Sequence, residues 1–222
     1  MSAISSLVVF DLDGTLIDSR RDLAESTNEM LATYGAPPLP IDRVAMMVGE
    51  GAKKLVQAAL AAVGLDPQEP DALARFREIY DRRLLLHTRP YDGIGDVLRE
   101  LASARRLAVL TNKPDAPTNR LLAAFDLTKY FRVVIGGDAS WPRKPDPAGL
   151  DAIMRDEDAT AASTWLVGDS MIDVETARNA GTRVCVALYG FGQARGELVL
   201  RPGEATARTP RDVLQIVQGH RP

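Results

Sequence analysis

A chain of 222 residues with 27 basic and 30 acidic side chains carries a net charge of −3. It is long enough for one sizeable core, or a main domain with a smaller insert, and lacks the basic footprint of a nucleic-acid binder. Cys185 is the single cysteine, so no disulfide forms within the chain, and no apolar run nears the roughly 18 residues of a membrane span.

Leu7–Phe10 opens the chain's order. This run is too short for a signal-peptide core and is followed at once by Asp11 and Asp13, so a soluble cytoplasmic protein is expected, monomer or homodimer. The next stretch reads as helices. One follows the possible caps Asp18 and Ser19, carries Leu23, Met30, Leu31 and Tyr34, and stops at Gly35. After the turn-rich 36–40 comes a short segment around Val44–Val48. A further helix carries Leu55, Val56, Leu60 and Val63 up to Gly64, and another runs from about Asp71 to Leu86. Four more apolar runs, Leu107–Leu110, Val133–Ile135, Trp165–Val167 and Arg183–Leu188, alternate with helical patterns such as Ile94, Val97, Leu98 and Leu101. Near-continuous apolar runs mark strands buried on both faces, and the alternation reads as a doubly wound α/β fold with a parallel sheet. Cys185 lies inside such a run and reads as a core residue. From Gly190 to Thr209 the chain reads as loop, before a last amphipathic helix with Val213, Leu214, Ile216 and Val217.

Chemistry gathers at the strand ends. In Phe10-Asp11-Leu12-Asp13-Gly14-Thr15 two carboxylates follow a strand at its carboxyl end, where open α/β sheets bind ligands. Residues two apart in extended chain point the same way, so Asp11 and Asp13 can share a reacting centre, while Gly14 allows a sharp exit or a close backbone approach. A polar strand-to-loop turn is the plainer alternative. Leu110-Thr111-Asn112-Lys113 could donate to phosphate oxygens, though alone it is an ordinary strand exit. Lys144, set in Arg143-Lys144-Pro145-Asp146-Pro147, is either a positioned ammonium or a solvated lysine ahead of a proline-started helix. Asp169 and Asp173 in Val167-Gly168-Asp169-Ser170-Met171-Ile172-Asp173 could complete a hard-cation site, whereas a helix cap explains only one of them. His87 and His220 complete no site, and no nucleophile elbow is present.

Taken together and in this order, Asp11/Asp13, Thr111, Lys144 and Asp169/Asp173 resemble the four motifs of the haloacid dehalogenase superfamily. The resemblance covers nearly the whole chain. It implies a Rossmann-like core with a parallel sheet flanked by helices, formed by residues 1–16 and 88–222, with a smaller α-helical cap over 17–87 inserted after the first strand. It further implies a phosphatase in which Asp11 attacks phosphorus to give an aspartyl-phosphate, and Asp13 protonates the leaving alcohol and later activates water. Mg²⁺ would be held by Asp11, the backbone carbonyl of Asp13 and Asp169, with Asp173 in support, while Thr111, Asn112 and Lys144 would cradle the phosphate beside Gly14.

The segment Val48-Gly49-Glu50-Gly51-Ala52, with the helix from Lys53 to Leu60, is similar to the cap segment of bacterial phosphoglycolate phosphatases, as are 90–93 and 110–113. That likeness makes phosphoglycolate the leading substrate among small phosphorylated metabolites and marks Gly49 and Lys53 as substrate-binding candidates. A plain helix–helix turn explains the same residues equally well. Glu50 departs from the family's usual Asn or Arg, and suits a carboxylate-bearing substrate only if Lys53 or Arg83 compensates. A sugar phosphomutase would share the core and differ in its product. A receiver-like phosphorylation switch would be shorter, lack the insertion and carry its acceptor on a later strand.

Overall fold

The computed structural model describes residues 6–192 and 198–219. Six strands form one parallel sheet: β1 (Leu7–Phe10), β4 (Arg106–Leu110), β5 (Val133–Ile135), β6 (Thr164–Gly168), β7 (Arg183–Ala187) and β8 (Ala205–Ala207), in the order β5-β4-β1-β6-β7-β8. β1 sits between β4 and β6, its four residues wholly buried, with Leu7 opposite both Arg106 and Thr164. Side chains alternate across a strand. Val8 and Phe10 therefore pack on the layer of α5 (Ile94–Ala102) and α9 (Pro210–Val217), through Val97, Leu98, Val213 and Leu214. Leu7 and Val9 face the opposite layer of α7 (Ala148–Asp156) and α8 (Met171–Ala180), through Leu150, Ile153, Val174 and Ala177. Two buried faces are why these strands read as unbroken apolar runs. Cys185 is buried and free in this core.

The expected alternation and insertion are what the chain adopts. A two-residue strand β2 (Ile17–Asp18) leaves the core and pairs antiparallel with β3 (Arg89–Pro90), where the chain returns. Between them lie α1 (Arg20–Ala32), α2 (Ile41–Ala45), α3 (Ala52–Ala62) and α4 (Ala72–Arg83). Their shared core includes Met30, Leu31, Leu55, Leu60 and Phe76. Arg83 on α4 pairs with Glu25 and Glu29 of α1, and the buried Asp22 carboxylate accepts from the backbone N–H groups of His87 and Thr88. These bonds tie the outgoing helix to the returning chain.

Three local expectations change. The loop expected from Gly190 to Thr209 contains β8, which extends the sheet parallel to β7 with Cys185 opposite Ala205. Ala-Thr-Ala is too short and too weakly apolar to declare a strand; the free edge of β7 recruits it. Residues 193–197 of that stretch, and His220, lie outside the described residues. The short segment placed around Val44–Val48 is helical earlier, over Ile41–Ala45. Ser19 stands before α1 but does not cap it: its hydroxyl donates to Asp13 Oδ1 at 2.6 Å instead.

Candidate active site

Asp11 follows the buried β1, and its backbone N–H donates to Val167 O at 2.8 Å, which fixes the carboxylate at the sheet's carboxyl edge. Asp169 follows β6, the neighbouring strand, and Asp173 lies in the first turn of α8. The topology brings these three carboxylates within 4.8 Å of one another. Lys144 Nζ reaches between two of them, 2.9 Å from Asp11 Oδ1 and 2.6 Å from Asp173 Oδ1. Asp173 uses its other oxygen as a helix cap, accepting from Ser170 N at 3.2 Å and Ser170 Oγ at 2.8 Å. Cap and cluster member are thus one residue. Asp169 Oδ2 accepts from the backbone N–H groups of Phe191 and Gly192, at 3.1 and 2.7 Å.

Burial pushes the Asp11 carboxyl up from 3.8 to about 6; Lys144 opposes that rise and Asp173 adds to it. Burial also raises Asp169 well above the usual carboxylate range, with Asp173 and Asp11 adding to it. Lys144 loses from burial, yet Asp11 and Asp173 outweigh this and hold it above its ordinary value. Three carboxylates against one ammonium leave an excess of two negative charges when all are ionised. An all-oxygen donor set with that excess fits a hard divalent cation. Gly14 sits at φ +85° against this cluster, and a Cβ there would overlap the Asp169 carboxylate.

Asp13 is held separately. Besides Ser19, its carboxylate accepts from Lys113 Nζ at 3.0 and 3.1 Å. Lys113 also bonds the hydroxyl of Tyr80 on α4 at 2.7 Å, and its ammonium lies 4.7 Å from the centre of that ring. Burial works against the Lys113 ammonium, but Asp13 and Tyr80 hold it charged. Burial pushes the Tyr80 hydroxyl up to about 12, which leaves it a neutral partner near neutral pH. In sequence Lys113 belongs to a plain strand exit and Tyr80 to a helix face, so neither signals its part in holding Asp13.

A cavity of about 350 Å³ opens over these groups. Asp11, Asp13, Thr111, Lys113 and Asp169 line its core side; Val48, Leu55, Phe76, Arg77 and Tyr80 line the side formed by α3, α4 and the turn before α3. The structure brings Asp11, Asp13, Thr111, Lys144, Asp169 and Asp173 together, but it distributes the other candidates differently. Asn112 spends its side-chain N–H groups on the carbonyls of Gly49 (2.8 Å) and Lys144 (3.0 Å), so it fastens the turn before α3 to the lysine segment. Gly49 lines the cavity, whereas Lys53 and Glu50 are exposed and do not. Arg83 is engaged with Glu25 and Glu29, away from the cavity.

Residues 8–187 match the haloacid dehalogenase-like hydrolase family. The chain is 40% identical over 195 residues to phosphoglycolate phosphatase 1 of Pseudomonas aeruginosa, covering 85% of this chain and 71% of that one. It is 38% identical over 195 residues to the phosphoglycolate phosphatase of Nitrosospira multiformis, with 85% of each chain covered. Among solved structures, a predicted phosphoglycolate phosphatase of Haemophilus somnus superimposes with a TM-score of 0.85 at 27% identity, over 98% of this chain and 100% of that one. A haloacid dehalogenase-like hydrolase of Streptococcus pneumoniae shares the fold, with a TM-score of 0.84 at 21% identity over 96% and 98% of the two chains. A parallel sheet with acidic groups at its carboxyl edge, a helical insertion after the first strand, and a match across most of the sequence agree on one assignment: the chain belongs to the haloacid dehalogenase-like hydrolase family.

Proposed function

We propose that this chain is a Mg²⁺-dependent phosphomonoester hydrolase of the cytoplasm that uses Asp11 as nucleophile and takes 2-phosphoglycolate as its leading substrate. One observation carries the chemistry. A carboxylate at the floor of a cavity is braced by a buried ammonium and lies beside two further carboxylates suited to a cation. The substrate is supported by relatives of about 40% identity that bear the name phosphoglycolate phosphatase.

Asp11 Oδ attacks phosphorus in line with the departing alkoxide, and the P–O bond to the alcohol breaks as the aspartyl-phosphate forms. Asp13 delivers the proton to the leaving oxygen, then takes one from the water that attacks phosphorus, and the bond between Asp11 Oδ and phosphorus breaks to free the carboxylate and release inorganic phosphate. Ser19 and Lys113 hold the Asp13 carboxylate in one orientation through both steps. Lys144 offsets repulsion between the nucleophile and a dianionic phosphate, and Thr111, whose hydroxyl accepts from the Lys113 backbone N–H at 3.2 Å, lines the same cavity. Mg²⁺, held by Asp11, Asp169 and the backbone carbonyl of Asp13 with Asp173 in support, would neutralise charge on the transferring group.

Residues 17–87 serve as a cap that excludes water from the intermediate. The bonds from Asn112 to Gly49 and from Lys113 to Tyr80 join that cap to the core.

The test is phosphate release from p-nitrophenyl phosphate and 2-phosphoglycolate. Wild type should be active with Mg²⁺ and silent in EDTA, and Asp11→Asn should be inactive with a wild-type fold by circular dichroism. Turnover by folded Asp11→Asn, or in EDTA-treated protein, removes the mechanism.

A further inference from the structure

The proposed substrate bears two anionic ends, and the groups described so far receive only the phosphate. Two cations line the cavity, Lys113 and Arg77. Lys113 is committed to Asp13 and Tyr80. Arg77 takes part in no hydrogen bond or ion pair among the described residues. Its neighbours on the same helix are engaged: Arg82 pairs with Glu29 and Glu78, Arg83 with Glu25 and Glu29, and the Arg75 guanidinium stacks over Tyr34. Asp81, the acidic residue one turn beyond Arg77, lines the cavity too, but Arg120 neutralises it.

Position favours the same residue. Arg77 lies three residues before Tyr80 on α4, hence on the same face and about 4.5 Å along the helix axis. Tyr80 marks the depth of the Asp13–Lys113 pair, so Arg77 stands further out on the same wall. A short substrate with phosphorus at Asp11 extends its other end from the core toward that wall. The cap side of the lining also carries the apolar Ala52, Leu55 and Phe76, and the planar fork of Arg77 suits a carboxylate there. Lys53 and Arg83, the compensating cations suggested by sequence, do not line the cavity.

We infer that Arg77 is the specificity-determining residue of the cap, and that it receives the substrate carboxylate. The inference rests on the phosphatase reading above and deepens it. A charge-assisted bond to a carboxylate corresponds to a selectivity of roughly 10- to 100-fold.

Ethyl phosphate replaces the carboxylate of 2-phosphoglycolate with a methyl group, so the ratio of kcat/KM for the two esters isolates this contact. Wild type should favour 2-phosphoglycolate. In Arg77→Gln the ratio should fall roughly 10- to 100-fold, chiefly through KM for 2-phosphoglycolate, and Arg77→Lys should recover part of it. An unchanged ratio in Arg77→Gln overturns the role of Arg77 while leaving the phosphatase reading intact. An equal loss on both esters marks a structural effect and overturns it as well. A wild-type enzyme that hydrolyses ethyl phosphate as readily as 2-phosphoglycolate defeats the substrate reading itself, and Arg77's role with it.

Discussion

Raising the pH should destabilise the metal-free protein, and Mg²⁺ should reverse the effect. Asp11 titrates at 3.8 in an ordinary setting and at about 6 in the folded chain. Between those values the folded state keeps a proton that the unfolded chain has released. The Asp11 contribution is therefore full below about pH 4, declines as pH rises toward 6, and is gone above it. For Asp11 alone the loss amounts to about 3 kcal/mol, a large fraction of a typical domain's stability. Asp169 shifts in the same direction and adds to it. Opposing carboxyls do not mask the window. Asp18, Glu25 and Glu204 are held below their ordinary values, so their stabilisation is already complete above about pH 5. The assay is equilibrium urea unfolding in EDTA at about pH 5, 6 and 7, repeated with Mg²⁺. The metal-free midpoint should fall across the series, and Asp169→Asn should flatten the slope. An ion at a hundred times its Kd contributes about 3 kcal/mol, and the gain should be larger at pH 7 than at pH 5. A midpoint that stays level or rises from pH 5 to 7 in EDTA, with Mg²⁺ acting equally at both ends, would refute the crowded-carboxylate account.

Other outcomes follow from single contacts. Lys113→Met leaves Asp13 with Ser19 as its remaining side-chain donor, and kcat should fall by roughly 10²–10⁴ with little change in KM; a change in KM alone would contradict the positioning role. Tyr80→Phe removes one hydroxyl contact to Lys113 and should cost about tenfold or less, measured in the same assay. Gly14→Ala should abolish activity, because a Cβ at φ +85° collides with Asp169, and a fully active variant would place the cluster elsewhere. The Cys185 thiol, buried and pushed up to about 12, should resist alkylation in native protein and react fully in denaturant; rapid native labelling would contradict its burial.

The core was legible because burial on both faces leaves a mark in one dimension. Leu7–Phe10 and Trp165–Val167 are apolar without interruption, and the carboxylates that follow them fall at the sheet's edge by topology alone. Asp173 shows the limit of that reading. Cap and cluster were alternatives in sequence, and the structure gives one oxygen to each. The Asp13–Lys113–Tyr80 chain was invisible because it joins residues far apart in sequence, and its lysine looks like any polar strand exit. Ser19 read as a cap because hydroxyls before helices usually are. Arg77 sat among four other arginines between 75 and 89, and only the cavity distinguishes it from them. β8 was missed for the opposite reason: the sheet's open edge, and not its own composition, makes it a strand.

Mass spectrometry of enzyme quenched in acid during turnover bears most directly on the nucleophile. A phosphoryl group should be found on the peptide containing Asp11, absent in Asp11→Asn and absent when EDTA is present from the start. An unlabelled Asp11 peptide during steady turnover, or a phosphoryl group on another residue, would contradict nucleophilic attack by Asp11.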